Sequence, residues 1–129
     1  MVSAPDPKKP SQFVDDLLRN NEVVLVSGTY CMYSARTKRL FVEHNVKFVC
    51  LEIDIIPNGR SIFQYIQGRS GKDTLPQVFV KGKFRGQYEE MQYLHDMHQL
   101  DFVLQWEGNA QPGDGGVGGF NGGMGGSRW

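Results

Sequence analysis

The chain has 129 residues, with 14 Lys+Arg balanced by 14 Asp+Glu, which suits one domain with tails and a real buried core. Zero net charge and no basic block offer nothing to gather nucleic acid or an anionic membrane, so both are excluded as leading partners. Two cysteines, Cys31 and Cys50, are too few for a disulfide framework. The start MVSAPDPKKP lacks the apolar centre of a secretory signal, and no apolar run approaches membrane-spanning length. The expectation is a cytoplasmic protein in reducing surroundings.

In chain order, residues 1–10 hold Pro5, Pro7 and Pro10 and read as a flexible N-terminal arm. Ser11 is placed to cap a first helix whose Phe13, Val14, Leu17 and Leu18 share one face. Asn20-Asn21 stop it. Val23 to Val26 is a short β-branched run bounded by turn formers, the pattern of a strand buried on both faces. Ser27-Gly28-Thr29 break that run, Tyr30-Cys31-Met32-Tyr33-Ser34 follows, and Ala35 to Glu43 is helix-compatible, with Met32, Ala35, Leu40 and Phe41 expected inward. Cys31 thus falls where a buried strand passes into a helix. Free amides of a helix's first turn carry partial positive charge, which favours a thiolate over a thiol there. The bland alternative is a small packed cysteine. The polar Gly28-Thr29 stretch before it and Ser34 after it argue for a loop edge and a usable nucleophile.

Val46 to Ile55 reads as a second strand, with Phe48, Cys50, Glu52 and Asp54 on one face and Val49, Leu51, Ile53 and Ile55 on the other. Cys50 is read as a core thiol. Strand, helix and strand at this spacing form a right-handed parallel βαβ unit. Pro57-Asn58-Gly59 leads into a helix with Ile62, Phe63 and Ile66 inward and Gly68 near its end. A polar loop, Arg69 to Asp73, precedes Thr74-Leu75-Pro76. A strand over Gln77 to Lys81, a turn at Gly82-Lys83 and a returning strand over Phe84 to Gln87 make a hairpin. Glu89-Glu90 open a helix through about His98, with Met91, Leu94 and Met97 inward, and Leu100 to Trp106 offers a last short helix. His95 and His98 lie one turn apart but lack a third ligand of matching spacing, so they read as surface histidines and no metal site is assigned. From Gly108 to Trp129, ten of 22 residues are glycine. Such a segment buries too little apolar surface to offset its ordering entropy, so 108–129 is expected to be a disordered tail and 11–107 the domain.

The strand-edge Cys31, the Thr-x-Pro before a hairpin with Gly82 and Gly86, and the stretches VVLVSGTYCMYS, LEIDIIPNG, TLPQVFVKGKFRGQYEE and LHDMHQL together resemble the glutaredoxins, over about Phe13 to Trp106. The resemblance implies an α/β thioredoxin-like fold, a four-stranded mixed sheet flanked by helices. It implies that Cys31 is the nucleophile exchanging with glutathione mixed disulfides, and that Pro76 is cis. Leu75 would then pair its backbone with the cysteine portion of glutathione, in a loop with Thr74. Tyr33 would wall the groove, and Gly86-Gln87 would replace the usual glycine pair, Gly86 admitting the γ-glutamyl end. Glu89 or Glu90 would face its ammonium, and Gln64 would lie near the glycine carboxylate.

Two departures bear on that groove. Gly28 stands where most relatives carry a lysine, and Asp73 where they carry a basic residue, with Arg69 and Lys72 as candidate substitutes. Ser34 occupies the place of the second cysteine. The implied activity is a monothiol glutathione-dependent oxidoreductase, acting as a monomer on glutathionylated proteins. Two alternatives stay open: a glutathione-dependent [2Fe–2S] dimer bridged through Cys31, and a catalytically weak interaction module on the same fold.

Overall fold

A computed structural model describes residues 9–107. The expected arm and glycine-rich tail lie outside the described residues, save for Lys9 and Pro10, which already belong to the start of the first helix. That helix, α1 (Pro10–Asn20), starts with proline in its first turn, where a missing N–H costs nothing, so Ser11 lies inside the helix and is not its cap. There follow β1 (Val23–Ser27), α2 (Met32–Glu43), β2 (Val49–Glu52), α3 (Gly59–Ser70), β3 (Gln77–Val80), β4 (Lys83–Gly86) and α4 (Tyr88–Asp96). A π-wound turn, α5 (Phe102–Glu107), ends the described chain. No helix among the described residues is long and apolar enough to cross a membrane.

The sheet order is β2-β1-β3-β4. β1 runs parallel to β2, with Leu25 opposite Cys50, and antiparallel to β3, with Leu25 opposite Val78. Both edges of β1 are therefore paired, and both faces are covered. Val23 and Leu25 join Phe41, Val78, Met91 and Leu104 in one core, beneath α2, α4 and α5. Val24 and Val26 join Val14, Leu18, Ile62, Ile66 and Phe79 in the other, beneath α1 and α3. This explains the uninterrupted apolar run: a two-sided strand has no polar face to alternate with.

Several boundaries differ from the sequence expectation. β2 spans only Val49–Glu52, because Asp54 leaves the strand to bond Thr29, and Ile55 is exposed. The inward face of α2 is Ser34, Thr37, Leu40 and Phe41, while Met32 and Ala35 face outward. The two buried hydroxyls are satisfied, since Ser34 Oγ accepts the Gly28 N–H (3.3 Å) and Thr37 Oγ1 donates to the Tyr33 carbonyl (2.8 Å). α3 runs past Gly68 and closes at Gly71. The hairpin turns at Lys81-Gly82, one residue earlier than the sequence implied. Both residues have positive φ (51° and 82°), which matches the right-handed twist of the flanking strands. α4 ends at Asp96, leaving Met97 half-exposed.

Leu25 is fully buried at the centre of β1. Leu25→Ala is expected to lower stability by about 2–5 kcal/mol, read from urea denaturation at unchanged slope.

Candidate active site

The buried strand β1 ends at Ser27, and the chain must turn at once, because α2 packs back over the same sheet. Gly28 and Cys31 close that turn by a backbone bond, Cys31 N–H to the Gly28 carbonyl (3.1 Å). Cys31 is the N-cap residue of α2, in extended conformation, and its side chain makes no capping bond. Its thiol is half-buried and lies 3.9 Å from the Leu75 carbonyl oxygen. The outer side of the turn is held by Asp54, whose carboxylate accepts both the Thr29 backbone N–H (3.0 Å) and the Thr29 hydroxyl. Those two bonds from Thr29 hold the Asp54 carboxyl below its ordinary range.

A groove of about 310 Å³ opens beside Leu75. Thr74, Leu75 and Pro76 form one side, with the Leu75–Pro76 bond cis as the family resemblance implied. Tyr33, Gln87, Tyr88 and Glu89 form the other. Six of the residues singled out in the sequence thus meet in one groove. Tyr88 is the addition. Its ring lies 5.2 Å from that of Tyr33, its hydroxyl donates to Gln92 Oε1 (3.0 Å), and the Arg36 guanidinium sits 5.5 Å from the Tyr33 ring centre. An aromatic residue directly after the hairpin, at the first turn of a helix, was the available signal. Among the described residues, the only charged side chain lining the groove is that of Glu89.

Other sequence candidates are placed differently. Glu90 turns back as a cap, its Oε1 accepting the Gln87 N–H (2.7 Å), so of the two acids Glu89 is the one at the groove. Gly86 (φ 148°) is buried, and a Cβ there would fall 2.7 Å from Glu90 Cβ. Its missing side chain makes room for Glu90 in the first turn of α4. Gln64 is exposed on α3 and does not line the groove. Arg69 is no substitute cation, because it is bound to Asp15 (2.6 Å) and to the Gly82 carbonyl (2.9 Å). Those partners line a larger cleft, about 920 Å³, at the opposite end of β1, where no cysteine lies. At Gly28 a Cβ would sit 3.0 Å from the Tyr30 ring and 3.1 Å from Leu75 Cδ1, so the space beside this backbone is already filled.

Cys50 is held apart from this chemistry. It packs partly against the α2–α4 core, and its thiol approaches Glu52 Oε2 (3.3 Å). Burial, and then the Glu52 hydrogen bond, push the thiol from an ordinary 9.0 up to about 11. Burial also pushes Glu52 upward. Hydrogen bonds from Lys38 (2.5 Å), Ser27 (2.8 Å) and Cys50 outweigh that and hold its carboxyl below the ordinary range. The His95 ring meets His44 (2.9 Å), whose other nitrogen meets Asp101 (2.7 Å), and its link to His98 is through the backbone, the His98 N–H donating to the His95 carbonyl (3.0 Å). Among the described residues no group of three or more His, Cys, Asp or Glu is arranged to hold a metal ion.

The model of the family described as Glutaredoxin matches residues 23–85. The chain is 35% identical over 104 residues to monothiol glutaredoxin-S6 of Oryza sativa subsp. japonica, covering 81% of this chain and 77% of that one. It is 30% identical over 91 residues to the mitochondrial glutaredoxin-2 of Mus musculus, covering 70% of this chain but only 58% of that relative's length. Among solved structures, the buckwheat glutaredoxin–glutathione complex superposes with a TM-score of 0.70 at 27% identity, over 84% of this chain and all of that one (100%). Reduced glutaredoxin C1 from Populus tremula x tremuloides gives the same TM-score, 0.70, at 27% identity, over 74% of this chain and 82% of that one.

The folded-state shift of Cys50 has a definite sign. A thiol whose pKa is raised by folding contributes stability that is intact below 9.0 and lost as pH rises toward about 11. Urea midpoints are expected to fall across that window, and Cys50→Ala should flatten the decline. At pH 7.5, iodoacetamide should label Cys31 well before Cys50, as read by peptide mass mapping.

Proposed function

This chain belongs to the glutaredoxin family, and from that premise we propose that it is a glutathione-dependent thiol–disulfide oxidoreductase acting by a monothiol mechanism through Cys31. The observation that carries the reading is the half-buried Cys31 sulfur at the start of α2, 3.9 Å from the carbonyl of Leu75 in the cis-proline loop. The thiolate of Cys31 attacks the glutathione sulfur of a protein–glutathione disulfide. The old S–S bond breaks, a new one forms to Cys31, and the protein thiolate leaves and takes a proton from solvent. A second glutathione, as thiolate, attacks the Cys31-bound glutathione sulfur, releasing oxidised glutathione and restoring Cys31. Ser34 has no sulfur with which to intercept the intermediate, and Cys50 keeps its proton across the neutral range.

In this reading the Leu75 backbone pairs with the cysteinyl part of glutathione, the ligand that the similar buckwheat glutaredoxin holds in its complex. The first-turn amides of α4 receive the γ-glutamyl carboxylate, Glu89 faces its ammonium, and Tyr33 with Tyr88 walls the groove. A second reading, a catalytically weak interaction module, is favoured by the absence of any cation among the described side chains that line the groove.

Cys31→Ser is expected to reduce deglutathionylation of a model peptide to the uncatalysed rate; a variant as fast as the wild type overturns the enzymatic reading. Glutathione titration followed by NMR separates the two readings. Saturating shifts at Leu75, Tyr88 and Glu89 support the enzyme, and none at concentrations on the order of 10 mM supports the module. The atoms that a Cβ at Gly28 would meet, on the 76% exposed Tyr30 ring and at the Cδ1 end of Leu75, are side-chain tips, so Gly28→Lys should fold and bind glutathione about tenfold more tightly, the size of one charge-assisted hydrogen bond.

A further inference from the structure

Two side-chain amides converge on the loop that carries Leu75. From within the fold, the fully buried Gln77 donates Nε2–H to the carbonyls of Lys72 (2.9 Å) and Thr74 (3.0 Å). From the rim of the groove, Gln87 Nε2 lies 2.9 Å from the Thr74 carbonyl, 2.9 Å from Thr74 Oγ1 and 3.1 Å from the Pro76 carbonyl. The Thr74 carbonyl thereby accepts from both sides, using both of its lone pairs. Gln87 is itself fixed from behind, as the N-cap of α4, by its backbone N–H on Glu90 Oε1 (2.7 Å). An amide has two hydrogens, and here both face protein oxygens, which leaves Gln87 no donor to offer a bound molecule.

We infer that Gln87 is a positioning residue: a brace that ties the first turn of α4 to the proline loop and fixes how far the Leu75 backbone stands from the α4 amides. It acts through Thr74 and Pro76 and not by touching the substrate. The inference rests on the reading of this groove as the glutathione site. Its physical content is pre-organisation. A loop already held in the binding geometry loses less conformational freedom when a ligand pairs with Leu75, so the effect falls on binding and not on the sulfur exchange.

Gln87→Glu is the diagnostic change, because it keeps the shape but sets an anion against the Thr74 and Pro76 carbonyls, which can only accept. In the ligand-free protein, backbone ¹⁵N order parameters at Asp73, Thr74 and Leu75 should drop from about 0.85 to 0.6 or below, with those of Leu94 in α4 unchanged. KM for a glutathionylated peptide should rise about tenfold, with kcat within twofold of the wild type. Thr74→Val, which keeps the carbonyl but removes the hydroxyl, should shift KM the same way as Gln87→Glu but less. Unchanged order parameters in Gln87→Glu overturn the brace. So does a loosened loop with an unchanged KM, or a loss confined to kcat. A wild-type protein without glutathione-dependent turnover overturns the proposed function instead, and the relaxation measurement still decides whether Gln87 orders the loop.

Discussion

The rest of the structure depends on β1 being buried on both faces and paired along both edges. A strand in that position cannot continue past the sheet without exposing apolar side chains, and it cannot bend within it without breaking two ladders. The chain therefore leaves at Gly28 and enters α2 within four residues, which forces Cys31 to the head of that helix. The buried Ser34 hydroxyl then bonds the Gly28 amide, so the turn and the helix that follows it are one rigid piece. The position of the sulfur is a consequence of core packing, set before any ligand is considered.

Around that fixed point the site is assembled from parts far apart in sequence. The parallel neighbour β2 delivers Glu52 and Asp54 to the same end of the sheet. Glu52 gathers Ser27, Lys38 and Cys50, and Asp54 holds Thr29. The antiparallel neighbour β3 delivers the cis-proline loop, and the hairpin returns the chain so that α4 begins beside it. Each element contributes one wall, and the groove lies where the strand ends converge.

Much of this was legible in the residues. The two-sided strand showed itself as Val23-Val24-Leu25-Val26 without alternation, and the hairpin as a glycine between two β-rich runs. Cys31, Tyr33, Thr74, Leu75, Pro76, Gln87 and Glu89 stood out because local pattern and family resemblance coincide at them. The failures share a cause. Ser34 and Thr37 look like an outer helix face, but hydrogen bonds to Gly28 and Tyr33 let them be buried in place of Met32 and Ala35. Glu90 and Gly86 look like ligand contacts alone, but in the fold they also pack against each other where β4 passes into α4. Arg69 looks like a spare cation, and an aspartate 54 positions earlier claims it. Where a polar side chain's partner is distant in sequence, no local period reports it.

Ser34 carries a further consequence. Its hydroxyl is sealed in and serves as an acceptor for a backbone amide, so the position three residues after Cys31 is structurally committed and carries no sulfur. Under the proposed monothiol mechanism, any bond that Cys31 makes to another sulfur is undone by a thiol arriving from solution. On that mechanism the pace of release follows the concentration of the visiting thiol.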